Sequence, residues 1–179
     1  MDYNNSANNS VVEKYADLIY KICMTKLYNY DKSSVADACQ NVFLNFLKNK
    51  PKFKDDKHEK SWFIRTAINC CTDIYRKQKN KEQREENLDV SYIIYDLDLA
   101  SGENSVYEIL SLLPEKIKYA VYLFYIEEYK TEEIAKILKT TSAAIRMRLK
   151  RGREILKDKL QADSDSEKKI LSEEAVNNV

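Results

Sequence analysis

Seven cations stand between Ser142 and Leu160, namely Arg146, Arg148, Lys150, Arg151, Arg153, Lys157 and Lys159. Only Glu154 and Asp158 oppose them, so the segment carries +5. Ile145, Leu149 and Leu156 recur there at steps of four and seven, so one helix can bury an apolar seam while its other faces hold the charge. Such groups do one kind of chemistry well: they neutralise phosphate, and near a helix N-terminus they reach base edges. Just upstream, Ile134, Ala135, Ile137 and Leu138 sit at helical spacing until Lys139, Thr140 and Thr141 interrupt them. A short helix, a tight turn and a basic second helix form the outline of a helix-turn-helix. Two amphipathic helices with a merely solvated charged face share that outline, so the pattern by itself leaves both readings open.

In that geometry the second helix enters the major groove by its N-terminus. Ser142, Ala143 and Arg146 are then placed to reach bases, with Met147 and Lys150 one turn on. Arg148, Arg151 and Arg153 are expected to meet phosphates. A structural pairing of Arg148 with Glu154, or with an acid of the preceding helix, is the alternative.

A second constellation lies upstream. Trp62, Thr66, Asn69, Asp73 and Arg76 recur at steps of four, three, four and three. They share a helix face distinct from the Phe63, Ala67, Cys70 and Ile74 stripe. An aromatic ring, an amide and the neighbouring charges of Arg76 and Lys77 can stack, hydrogen-bond and neutralise phosphate, the three requirements of single-strand binding. Two readings fit: the face binds nucleic acid, or Trp62 and Asn69 cap the core while Asp73 pairs with Arg76 or Lys77 along the helix.

The elements that must position these residues are helical. The 179 residues include two Gly and two Pro, too few for the turns of a sheet protein, and 44% are hydrophobic. The expected fold is all-α, with two small helical domains joined by an acidic linker. Residues 1–9 are polar and expected to be disordered. Residues 10–80 form the first domain, with a stripe of Val12, Tyr15, Ala16, Ile19, Ile22 and Cys23 from Val11 to about Tyr28. A second helix runs from Ser34 to Lys48 behind a cap at Asn29, Asp31 or Ser33, with Leu47 in its apolar stripe. A third runs from a cap at Ser61 to about Lys79. Residues 81–104 link the domains, and VSYIIY at 90–95 is their one strand-like patch. Residues 105–160 form the second domain, with Pro114 in the first turn of its helix. Residues 161–179 form an acidic tail of charge −3.

Charge follows the same plan. Residues 60–84 carry +5, residues 85–113 carry −7, and the basic helix carries +5 again. Two basic blocks around an acidic one suggest two nucleic-acid contacts. The one histidine and the four cysteines lack metal-ligand spacing, so no metal and no cofactor are expected, and the thiols read as buried in a reducing cytoplasm. No catalytic set is apparent. MDYNNSANNS has neither the basic start nor the apolar core of a secretory signal, and no apolar run is long enough to span a membrane.

These residues resemble a known family. WFIRTAINCCTDIYRK, with Trp62, Asn69, Asp73 and Arg76, is similar to the promoter-melting segment of bacterial sigma factors. DACQNVFLNFL resembles the segment that docks on the RNA polymerase clamp, through Asp37, Gln40 and Phe43. LPEKIKYAVYLFYIEEYKTEEIAKIL and the helix-turn-helix resemble sigma domain four. The resemblance covers about 125 of the 179 residues. With no room for a domain three, it points to group 4, the extracytoplasmic function sigma factors.

The resemblance implies a bacterial, cytoplasmic, non-enzymatic protein that binds the clamp and flap of core RNA polymerase and directs promoter-specific initiation. Its −10 contacts would be Trp62, Asn69, Asp73, Arg76 and Lys77, and its −35 contacts Ser142, Ala143, Arg146, Met147, Arg148, Lys150, Arg151 and Arg153. An anti-sigma factor is an implied partner. Residues 53–60 would pocket a flipped base or form an ordinary turn. The acidic linker would thread the polymerase's nucleic-acid path or simply stay soluble. The alternative function is a helix-turn-helix regulator acting apart from polymerase. Three positions depart from the family pattern. Lys139 stands where Gly is usual and must tolerate or avoid the left-handed conformation. Lys130 takes the usual Ser or Thr capping place, so Thr131 is expected to cap one residue late. Ala144 replaces a common Thr.

Overall fold

Capping chemistry fixes the first helix-helix corner. Asp31 has extended backbone and its Oδ1 accepts from Ser34 N at 2.7 Å, starting the helix at Lys32. The Ser33 hydroxyl donates to the same carboxylate, and these bonds hold the Asp31 carboxyl below its usual range. In the computed structural model, backbone is described for residues 3–82 and 102–177. Those residues form seven helices and no strand: α1 Tyr3–Leu27, α2 Lys32–Asn49, α3 Asp56–Glu82, α4 Gly102–Ser111, α5 Glu115–Tyr125, α6 Thr131–Ile137 and α7 Ser142–Asn177. The linker's core and the VSYIIY patch lie outside the described residues.

The chain divides into two compact units. In the first, α1, α2 and α3 pack on one another, and α4 lies against α1 with the Tyr28 and Tyr107 rings 6.3 Å apart. Tyr15, Ile19, Ile22 and Leu27 of α1, Val35, Ala38 and Val42 of α2, and Phe63, Ile64 and Ala67 of α3 form the core. Lys26 is buried as well, its ammonium 4.6 Å from the centre of the Tyr75 ring.

The second unit is built on the packing of α5 against α7. Ile117, Ala120 and Val121 are buried on α5, and Ile145 and Leu149 on α7. Gly152 marks their close approach. A Cβ added there would lie 2.8 Å from Val121 Cγ2 and 3.0 Å from Ile117 Cγ2, so only hydrogen fits.

Several boundaries differ from the sequence expectation. α1 begins at Tyr3 rather than Val11, because extending a helix already nucleated by the buried Tyr15–Leu27 stretch costs little. Val12 and Ala16 are exposed; the buried face of α1 runs through Tyr15, Leu18, Ile19 and Ile22 instead. α3 starts at Asp56, not Ser61, because Asp55 Oδ1 accepts from His58 N at 2.7 Å and caps it. Glu59 then ties that first turn to α1, accepting from Lys14 Nζ at 2.9 Å and from the Tyr15 hydroxyl at 3.0 Å. Pro114 stands at the N-cap position, just outside the helix. Thr131 does not cap α6; the Glu133 carboxylate reaches back to Lys130 N at 3.0 Å and satisfies that donor.

Candidate nucleic-acid interface

α3 grades from apolar to polar along the face expected to bind. Trp62 is half-buried in an aromatic nest, its ring edge-on to Phe46, Phe53 and Phe63 at centroid distances of 6.2, 5.9 and 5.0 Å. Thr66 is half-buried, and Asn69, Asp73, Arg76 and Lys77 are exposed. Asn69 therefore does not cap the core, whereas Trp62 both packs and presents an edge. Among the described residues no ion pair joins Asp73 to Arg76 or Lys77, so the pairing along the helix is not made and all three charges face solvent.

The segment ahead of α3 is ordered by specific contacts. Lys50 closes α2 in the left-handed conformation, its N–H donating to Phe46 O at 2.9 Å. Phe53 then packs edge-on to His58 at 5.8 Å as well as to Trp62. Lys54 N donates to His58 Nδ1 at 3.3 Å, which leaves the histidine proton on Nε2. Residues 56–60 belong to the first turn of α3, so only residues 51–55 form the loop.

The turn between α6 and α7 is built from backbone geometry. Lys139 adopts φ 49°, and Thr140 N donates to Ala135 O at 2.9 Å, the long bond of a Schellman closure. The lysine thus takes the left-handed conformation that glycine adopts at lower cost. Thr141 caps α7, its Oγ1 accepting from Ala144 N at 3.1 Å.

The face of α7 away from the Ile145 and Leu149 seam is open. Ala143, Arg146, Met147, Lys150, Arg151 and Arg153 are exposed, Met147 at 66%. Ser142 and Arg148 are half-buried. Arg146 lies 3.9 Å from Glu132, and Lys150 lies 3.9 Å from Glu154. Both pairs are solvated and hold their partners weakly. The Glu132 carboxyl is held below its usual range, first by its own backbone N–H, then by the Thr131 hydroxyl and more weakly by Arg146. Glu154 pairs with Lys150, and no ion pair of Arg148 occurs among the described residues. Arg153 Nη1 donates to the Tyr125 hydroxyl at 3.0 Å. Sequence reasoning missed Glu132 and Tyr125, which orient two of the cations from neighbouring helices; no periodicity within α7 points to them.

On α2, Asp37 and Gln40 are exposed as expected, while Phe43 is half-buried with its ring 6.3 Å from Phe63. Leu44 and Leu47 join the outward side, 52% and 44% exposed. Leu47 thus departs from the apolar stripe expected to bury it. An exposed pair of leucines beside Asp37 and Gln40 suits a protein partner better than nucleic acid. Among the described residues no cluster could hold a metal ion, and no helix is long and apolar enough to cross a membrane.

Comparison with known proteins agrees with this geometry. Residues 11–81 match the model of Sigma-70 region 2, and residues 103–156 match that of Sigma-70, region 4. The chain is 26% identical to the ECF RNA polymerase sigma factor SigW of Bacillus subtilis (strain 168), over 84% of this chain and 87% of that one. It is 25% identical to the ECF RNA polymerase sigma-E factor of Haemophilus influenzae, over 73% and 76%. Its fold is similar to CnrH, solved with the cytosolic domain of CnrY, at TM-score 0.65 and 19% identity over 90% of this chain and 92% of that one. It is also similar to RpoE of Bartonella quintana, solved with the anti-sigma factor NepR, at TM-score 0.66 and 17% identity over 86% and 98%.

Proposed function

Since the chain belongs to the sigma-70 family, in its extracytoplasmic function group, it is a polymerase-associated factor that directs promoter-specific initiation, and we propose how its residues divide that work. Residues 10–80 act as domain two and residues 105–160 as domain four, joined by the acidic segment 81–104 and followed by the acidic tail 161–179. The outward stripe of Asp37, Gln40, Leu44 and Leu47 docks on the polymerase clamp, with Phe43 holding that stripe to the core. A contact of domain four with the polymerase flap completes the assembly.

The single observation that carries the DNA assignment is the state of the α3 face. Asn69, Asp73 and Arg76 project into solvent without an ion pair between the charges, about two to four turns from a half-buried tryptophan. Trp62 to Arg76 spans roughly 21 Å at 1.5 Å per residue, enough for several nucleotides of extended single strand. In this reading Trp62 offers an edge against which the melted −10 strand stacks, Asn69 bonds a base, Arg76 and Lys77 hold phosphate, and Asp73 meets the strand from the same exposed face. Phe53, His58 and Trp62 line the place where a flipped base would enter; unstacking costs a few kcal/mol, which stacking and hydrogen bonds there offset.

On α7, Ser142, Ala143 and Arg146 read the −35 element at base edges, with Met147 and Lys150 alongside, and Arg148, Arg151 and Arg153 set the register on phosphates. No catalytic residue is assigned; members of this family are non-catalytic initiation factors. We infer that it works with polymerase in the bacterial cytoplasm. The anti-sigma factor NepR bound to the solved neighbour RpoE supports a similar partner here. A regulator acting apart from polymerase would leave the region 2 match without a role.

The test is transcription in vitro. Core polymerase with the purified chain should initiate at a duplex promoter carrying both elements and lose that selectivity when either element is scrambled. Initiation indifferent to both would defeat the assignment.

A further inference from the structure

The face of α7 proposed to meet the −35 element has beside it one acid that does not belong to α7. Glu132, the second residue of α6, places its Oε1 3.9 Å from Arg146 Nη1. The Thr131 hydroxyl donates to that same oxygen at 2.9 Å. The neighbouring Glu133 serves the start of α6, where it accepts from Lys130 N at 3.0 Å. Glu132 instead reaches across to the other helix, and both it and Arg146 are exposed.

An acid in this place runs against the simplest requirement of phosphate binding. A carboxylate beside a DNA-facing surface repels the backbone and lowers affinity for every duplex. It is also kept charged, because its own backbone N–H, the Thr131 hydroxyl and Arg146 hold its carboxyl below the usual range. Lys150 has an acid at 3.9 Å as well, but Glu154 is its i,i+4 neighbour on one helix surface.

We propose that Glu132 is a positioning residue for −35 recognition, holding the Arg146 guanidinium for the paired O6 and N7 acceptors of one guanine. This role rests on the base-reading assignment of Arg146 above. A guanidinium carries five N–H donors in a planar fork. Two of them can meet guanine O6 and N7 in the major groove while another edge still faces Glu132. A phosphate allows no such division. To reach one, Arg146 leaves the carboxylate, which then stands unpaired near the phosphate charge. The acid therefore costs more on a wrong duplex than on the right one, which is how a repulsive group sharpens selection. The pair is solvated, so the effect is modest, about two- to fivefold in the preference for guanine.

The experiment uses the full chain bound to core polymerase and a pool of promoter duplexes randomised through the −35 element. Wild type should enrich guanine at one position, and Arg146→Ala should lose that preference. Glu132→Gln keeps the shape of the side chain and can still accept from Thr131. It should weaken the guanine preference at that position about two- to fivefold, leave other positions alone, and bind a scrambled −35 duplex more tightly. In the Arg146→Ala background it should change no base preference, because the two side chains act as one unit. An Arg146→Ala variant that keeps every preference would remove the base-reading assignment itself. With that loss observed, the positioning role alone is overturned if Glu132→Gln leaves the guanine preference intact, weakens every position evenly, binds the scrambled duplex no more tightly, or acts equally without Arg146. Loss of a base other than guanine in Arg146→Ala overturns it too. Circular dichroism checks the fold of each variant. If Glu132→Gln does not fold, Thr131→Ala decides, since it frees the carboxylate and keeps its charge: a weaker guanine preference supports the role, and an unchanged one overturns it.

Discussion

Lys139 should be replaceable by glycine with a gain in stability. The residue is exposed and closes α6 at φ 49°, so its side chain contributes little packing while its Cβ crowds the following carbonyl. For an L-residue that conformation costs about 1–2 kcal/mol, which glycine avoids. Glycine gives back about 0.5–1 kcal/mol because its unfolded chain has more freedom to lose. The expected net gain for Lys139→Gly is therefore about 0.5–1 kcal/mol. In a unit of this size each kcal/mol moves the transition by roughly 4–8 °C. Lys139→Ala is the control: it loses the same charge and keeps the Cβ, so its stability should match wild type. Calorimetry and far-UV circular dichroism of the three full-length proteins give the comparison, and the same proteins should bind a −35 duplex with equal salt slopes for the Ala and Gly variants. If Lys139→Gly melts at or below Lys139→Ala, the left-handed strain assigned to this turn is wrong.

Four further outcomes follow from the described contacts. Arg146→Ala should weaken −35 duplex binding by roughly 1–3 kcal/mol and relax specificity at one position; equal affinity for cognate and altered duplexes before and after would remove Arg146 from the base-reading set. Asn69→Ala should impair open-complex formation, read by permanganate reactivity, far more than closed-complex binding, and a pre-melted −10 bubble should restore part of the activity; equal loss on both templates together with a lower Tm would favour a packing role. Asp37→Lys should lower core polymerase affinity in a titration while leaving helical content and −35 binding unchanged. Asp31→Ala should cost about 1 kcal/mol at neutral pH through loss of the α2 cap. Because the folded Asp31 carboxyl is held low, its contribution is present above the unfolded value of about 3.9 and fades as pH falls below it, so the wild-type advantage over Asp31→Ala should shrink in acid melts.

Helical spacing within single elements was enough to place the two sets proposed to meet DNA on their helix faces. The steps from Trp62 to Arg76 and the cations around the Ile145 and Leu149 seam needed no tertiary information to place on faces. What stayed illegible is what depends on a second element. Glu132 meeting Arg146 and Tyr125 meeting Arg153 join residues whose separation in sequence carries no period. Helix starts failed for a local reason. In DDKHEKSW, Asp55 and Ser61 are both good caps, and the charged run between them offers no apolar period to choose by. Leu44 and Leu47 mark a different limit: an apolar residue reads as core until the packing shows that its side of the helix has been left for a partner.

Gly152 has a consequence for how tightly DNA can be held. Where it lets α5 and α7 touch, α7 is seated against the stiff branched side chains of Val121 and Ile117. The basic helix is therefore ordered before it meets a groove, and little of the association energy goes to freezing it. A bulkier residue at 152 would loosen that seat, and the penalty would surface as faster dissociation from the −35 duplex although no atom touching DNA had changed.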